Sequence, residues 1–289
     1  MTKRKDLLAV ITLLFLCVTA IHGILSIDFS HAHSFTNQYG QTVSIYGYGI
    51  YAFDSYFKAP ILIGTDFCIL FILVPMFLYT YIKYPQSSNS LDELKLISVY
   101  SVALYYAASI AFGVTYNRLF IAYIILFSVS LFGMFKHIKK IEWNQTIQVT
   151  KGLKAFLILS GLALLVAWLP DILPTLIGGG TLSLIEVYTT EITYVLDMGI
   201  ISPLCFVCLY LLVKKQSLGT MLLAILLKTC IIVGIMMIPQ TILQVASGAE
   251  IAMPVLVTKS LSFVALGGFA LFFNIKIYKE LSDESTKEK

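Results

Sequence analysis

The chain has 289 residues, 58% of them hydrophobic and 12% charged, with a formal net charge of +4 and a mean hydropathy of +0.87. That balance excludes an ordinary soluble domain, in which about a quarter of the residues are charged. Its long apolar runs do not alternate, which excludes a membrane barrel and leaves membrane-spanning helices.

Crossing a hydrocarbon layer of about 30 Å takes about 20 mostly apolar residues as helix. Eight runs meet this requirement: 6–25, 61–82, 96–114, 119–135, 153–169, 190–213, 221–238 and 255–277. They predict an all-α polytopic bundle forming one integral membrane domain. The first run is too long and too polar at its end for a cleaved signal, and no small-x-small pattern follows His22-Gly23, so it reads as a retained helix. With alternating spans, 16 lysines and arginines fall on one side and two, Lys58 and Arg118, on the other, while Lys228 and Lys259 lie within spans. Basic residues mark the cytoplasmic face, which predicts a plasma-membrane protein with both termini inside. The net positive charge is then a topology signal, and no nucleic-acid partner is expected.

Two connections on the predicted outer side are long, 26–60 and 170–189. The first is rich in Tyr, Phe and Gly, which suits a folded lid. Each leads into a span that carries an aspartate, and a shift of 131 residues superposes Asp66 on Asp197, Tyr79 on Tyr210 and Lys83 on Lys214. A parallel four-plus-four duplication would produce this pattern.

Intramembrane acids are expensive in lipid and are expected to face the bundle or a wet cavity. Asp197 lies in "YTTEITYVLDMGIISP" (188–203). A helical wheel drawn through that stretch puts Glu186, Thr190, Thr193, Tyr194 and Asp197 within roughly an 80° arc, with Glu191 facing away. The third span carries Tyr105 and Tyr106, and Asn117 follows it. Depth along the helices makes Lys228 a partner for Asp197, and Asp66 or Glu191 a partner for Lys259. Pro75 and Pro203 each follow an acid and free a helix carbonyl near it.

An outward-facing polar cavity lined by Asp66, Tyr105, Tyr106, Asn117, Asp197 and Lys228 is the leading expectation. It would bind or transport a small solute or cation, in contact with the lipid bilayer. A second reading is a non-transporting partner or sensor protein that docks through residues 26–60. A third is an intramembrane enzyme or an outer-face metal site, for which His31 and His33 are the candidates, alternating in an extended segment near Asp28. There is no G-x-S-x-G, H-E-x-x-H or phosphate-binding glycine loop, which weighs against an enzyme, and no cofactor is expected. The five cysteines all lie within spans, where cysteine acts as a small apolar residue.

Three stretches carry a resemblance: "IYAFDSYFKAPILIGTDF" (50–67), "YSVALYYAASIAFGVTYNRLFIAYIILFSVSLFGMF" (100–135) and "YTTEITYVLDMGIISP". They resemble a broad family of uncharacterised bacterial multi-pass membrane proteins, whose pattern has Asp-Ser and Gly-x-Asp elements, a Tyr-rich span followed by Gly and Asn, and Leu-Asp-x-Gly ahead of Pro. The matching residues are Asp54, Ser55, Gly64 and Asp66; Tyr105, Tyr106, Gly113 and Asn117; and Leu196, Asp197, Gly199 and Pro203. The likeness runs loosely over spans two to eight and implies no activity. The part of the first loop that bears His31 and His33 departs from the pattern.

Overall fold

The structure is a computed structural model that describes residues 6–84, 90–249 and 253–287. Eight of its helical segments are long and apolar enough to cross a membrane, as the hydropathy predicts. They are α1 (Leu7–Ile24), the broken pair α2 (Ala59–Cys68) and α3 (Val74–Lys83), α4 (Ser90–Gly113), α5 (Phe120–Lys140), α6 (Lys151–Gly178), the broken pair α7 (Ile192–Leu196) and α8 (Ser202–Val213), α9 (Ser217–Ala246) and α10 (Met253–Lys287). One short hairpin, β1 (His33–Thr36) against β2 (Thr42–Ile45), is the only sheet among the described residues.

Polar residues cap the starts of two spans. Asp6 and Thr150 accept the backbone N–H groups of Leu8 and Leu153 and start α1 and α6. Pro170 and Pro174 do not end α6, which continues to Gly178, so the second long connection is shorter than the sequence predicts. Proline inside a membrane helix is tolerated where neighbours or local adjustments make up for the lost bond.

The broken spans share one construction. A wide turn, Ile69–Leu73 in one and Asp197–Ile201 in the other, closes with an i to i−5 hydrogen bond, and Pro75 or Pro203 follows. Proline cannot donate to residue i−4 and its ring crowds that carbonyl, so the helix widens by one residue just before it. The prolines are 128 residues apart and the acids 131, so Asp197 opens its wide turn whereas Asp66 lies three residues ahead of its own.

One apolar cluster joins α1 to α5, and a second joins α6, α8, α9 and α10; α4 and α9 contribute to both. These two helices are the most buried spans and form the wall between the halves. Gly64 lets α2 cross the backbone of α9 at Pro239 and Gln240, where any side chain would collide.

The segment between α1 and α2 is folded into a cap over one end of the bundle. Tyr46 is fully buried in it; its hydroxyl donates to Ser26 O at 2.6 Å and accepts from Asp28 N at 2.9 Å. The cap is tied to two other connections at that end: Asn37 Nδ2 donates to Glu186 O at 2.8 Å, and Tyr56 Oη donates to Ser247 O at 2.7 Å. The end of the bundle that carries it is called the cap end, and the opposite one the basic end.

Candidate functional site

Asp66 and Asp197 are both buried, at 0% and 4% exposure, and each accepts one hydrogen bond on each carboxyl oxygen. At Asp66, Oδ1 accepts from Tyr106 Oη at 2.6 Å and Oδ2 from Tyr51 Oη at 2.6 Å. Tyr51 comes from the cap, so the connection between α1 and α2 reaches in to hold the acid. Gly23 of α1 makes room for the carboxyl; any side chain there would overlap Asp66 Oδ2.

At Asp197, Oδ1 accepts from Tyr105 Oη at 2.8 Å and Oδ2 from Trp168 Nε1 at 3.0 Å. The two acids are thus bound by consecutive residues of α4. Tyr105 and Asp197 also line a small cavity of about 20 Å³, together with Leu164, Thr229, Cys230 and Phe263. A space of that size holds about one water.

Beyond Trp168 the polar contacts continue to the cap end. Lys259 Nζ lies 5.0 Å from the Trp168 ring centroid and pairs with Asp171 at 3.1 Å, while Tyr194 Oη donates to Asp171 at 2.9 Å. Lys259 therefore pairs with Asp171, and with neither Asp66 nor Glu191 as the depth argument had it. Glu191 is taken by Lys58, at 2.9 Å and with both side chains nearly buried.

Lys228 does not pair with Asp197. Its ammonium lies 6.0 Å from the Tyr278 ring centroid, and no described carboxylate is within ion-pair reach of it. Nor do Asp66 and Asp197 make an ion pair with any described basic side chain. Asn117 bonds to neither acid: its Oδ1 accepts from Leu119 N at 2.9 Å and its Nδ2 donates to Tyr123 Oη at 3.2 Å, which fixes the turn into α5. The polar arc drawn through Glu186 and Thr190 dissolves, because Glu191 caps α7 and the helix begins only at Ile192.

His31 stacks on Tyr48 and lies 3.3 Å from Asp28 Oδ2, while His33 is exposed on β1. No group of three or more metal-ligating side chains occurs among the described residues.

A third buried acid lies in the cap. Asp54 is 0% exposed and accepts from Thr115 N and Oγ1, both at 3.0 Å, and from Tyr188 Oη at 2.9 Å. Burial outweighs those donors and pushes its carboxyl up to about 6. Lys58 Nζ stands 4.1 Å from the Tyr188 ring centroid, which ties this cluster to the Lys58–Glu191 pair.

The donors around the two intramembrane acids decide what the acids can hold. A cation site needs lone pairs converging on the ion. Trp168 Nε1–H is a donor with no acceptor capacity, and it is aimed at Asp197 Oδ2. A proton on Asp197 therefore belongs on Oδ1, where the Tyr105 hydroxyl can turn and accept it. At Asp66 both partners are hydroxyls, so either oxygen can carry the proton.

No family model, curated protein or solved structure matches the chain.

Proposed function

We propose that this multi-pass membrane protein binds protons reversibly at Asp66 and Asp197, and that this binding drives the movement of a small solute or ion. The observation that carries the reading is the pair of buried carboxyls held only by neutral donors, two of which are the adjacent Tyr105 and Tyr106. A lone carboxylate in hydrocarbon is costly without a countercharge. A proton supplies the charge, and its arrival reverses one hydrogen bond at each site. Because both tyrosines ride on α4, a change at one aspartate is felt at the other.

The distribution of lysine and arginine supports a cap end outside a bacterial-type plasma membrane with both termini inside. The quoted motifs support grouping the chain with the multi-pass membrane proteins that it resembles. The cavity at Asp197 limits what sits beside that acid in this conformation to something the size of water or an ion.

Infrared difference spectra of the purified protein between acid and alkaline buffer test the reading. Two protonated-carboxyl bands are expected, one lost in Asp66→Asn and the other in Asp197→Asn. Asparagine satisfies the same partners, so both variants should fold. Spectra unchanged by either substitution would overturn the proposal; bands that move with sodium or calcium at fixed pH would replace it with cation binding.

Exposed aromatics on the cap favour a second reading, in which the cap docks a partner. Phe35, Tyr39 and Phe53 are 52%, 46% and 68% exposed. Pull-down from native membranes with wild type and with the triple alanine variant distinguishes the two readings.

A further inference from the structure

Apart from the two aspartates, the densest group of buried charges lies at the basic end, between α1, α4 and α5. His137 of α5 is 1% exposed and sits between two acids, with Asp6 Oδ2 at 2.6 Å from Nε2 and Glu93 Oε1 at 2.5 Å from Nδ1. Lys136 takes the other oxygen of Asp6 at 2.8 Å, and Lys140 takes the other oxygen of Glu93 at 3.0 Å and contacts the Tyr84 hydroxyl. Two lysines already balance two carboxylates. The buried imidazole adds a group that can gain a proton at one nitrogen and release one at the other.

From His137 the seam leads toward Asp66. The Tyr100 ring lies 5.5 Å from the His137 ring and fills the space left by Gly133, where a side chain would strike it. The Tyr100 hydroxyl is fully buried beside Thr12 of α1, whose own hydroxyl donates to Leu8 O at 2.8 Å, and no described partner meets it in good hydrogen-bond geometry. Ser130, about one turn from Gly133 on α5, also has a buried and unpartnered hydroxyl. Buried hydroxyls are normally satisfied by protein or by water, so two orphans on one seam mark a place for water. At the far end, Tyr106 Oη lies 2.6 Å from Asp66 and 3.3 Å from Thr19 Oγ1. Thr19 and Thr12 are both buried on α1, roughly 10 Å apart by helical rise.

We propose that this seam conducts protons between Asp66 and the basic end, through Tyr106 and Thr19, across water held at Tyr100 and Ser130, to His137. In each step the O–H bond of the donor breaks as the proton joins the lone pair of the next oxygen, whose own proton moves on. At the basic end the proton joins the Asp6 carboxylate, which passes it to the His137 nitrogen it faces while the other ring nitrogen releases one to Glu93. One proton enters, one leaves, and nothing is oxidised. The route rests on the reading of Asp66 as a proton site.

The test uses the full chain in sided proteoliposomes, with the Asp66 carboxyl band, assigned by its loss in Asp66→Asn, followed after a pH jump on one face at a time. In wild type the band should respond to the basic-end face. Tyr100→Phe keeps the ring, and Ser130→Ala removes only a hydroxyl. Each should slow the basic-end response at least tenfold and leave any cap-end response unchanged. A band that answers the cap-end face alone, or equal rates in the variants, would overturn the route while leaving Asp66 a proton site. A band that answers neither face would overturn both.

Discussion

Tyr105 and Tyr106 are neighbours in the chain, yet their hydroxyls donate to aspartates on different spans, Asp197 at 2.8 Å and Asp66 at 2.6 Å. Consecutive helical residues point about 100° apart. A helix at the centre of a bundle can therefore hold two neighbours on adjoining faces, and α4 does so between α2 and the α7–α8 junction. Each aspartate draws its second donor from elsewhere, the cap for Asp66 and α6 for Asp197. The pair thus joins the two halves of the bundle at the wall between them.

Removing either hydroxyl leaves a buried carboxyl oxygen without its donor. Tyr105→Phe and Tyr106→Phe should each lower stability by about 1–3 kcal/mol, the cost of leaving a buried acceptor unsatisfied. Tyr106→Phe should cost more, since Asp66 is the more buried acid. If α4 transmits between the sites, the double variant should depart from additivity by more than about 0.5 kcal/mol. Unfolding in mixed micelles measures all three; additivity within error would mean that the sites are independent.

Asp54 gives the cap a pH dependence with a definite sign. Its folded carboxyl is held at about 6, above the ordinary aspartate value of 3.8. The folded cap therefore binds the proton more tightly than the opened one. The stability from this group is complete below about pH 4 and is lost as the pH rises through about 6. The change is on the order of 2–3 kcal/mol, at about 1.4 kcal/mol per unit. Amide exchange in residues 42–58 should quicken between these pH values in wild type, beyond its intrinsic chemical dependence, and should lose that excess in Asp54→Asn. An unchanged profile in the variant would show that Asp54 does not hold the cap.

The spans, the two aspartates and the two tyrosines were legible in the sequence because a polar residue in an apolar run stands out. Their partners were not. Tyr51 and Trp168 look like ordinary residues of an aromatic loop and an apolar helix, and only the fold brings them to the acids. The lysine pairings failed for a related reason: helical rise gives depth, but neither the neighbouring helix nor the direction of the side chain. Lys228 has a depth that suited Asp197 and points to Tyr278 instead. The helical wheel through Glu186 failed because Glu191 starts α7 and a wide turn follows at Asp197, so constant rotation does not hold there. In the sequence His137 is a lone histidine in a basic helix end, because its two acids come from 44 and 131 residues away.

Gly23 and Gly268 form a controlled pair of helix glycines. A Cβ at Gly23 would overlap the Asp66 carboxyl, whereas one at Gly268 would meet nothing within 4 Å. Gly23→Ala should therefore destabilise by about 1–3 kcal/mol, the usual cost of overpacking. It should also shift the Asp66 infrared band. Gly268→Ala should be neutral or should stabilise by up to about 1 kcal/mol through helix propensity. Thermal midpoints in one detergent compare them; equal effects would mean that α1 does not press on Asp66.

Lys58 and Glu191 pair at 2.9 Å with side-chain exposures of 10% and 12%, while Lys259 and Asp171 pair at 3.1 Å with 32% and 26%. The difference in burial should decide their worth. Lys58→Met strands a nearly buried carboxylate and removes the cation from the Tyr188 face, so it should cost about 3 kcal/mol or more. Adding Glu191→Gln removes the stranded charge and should restore most of that loss. Lys259→Met leaves its partner partly solvated and should cost no more than about 1 kcal/mol. Thermal midpoints, with amide exchange over residues 42–58 as a local readout, should follow this order. Equal losses from the two lysines, or no rescue by Glu191→Gln, would show that the Lys58 pair does not anchor the cap to α7.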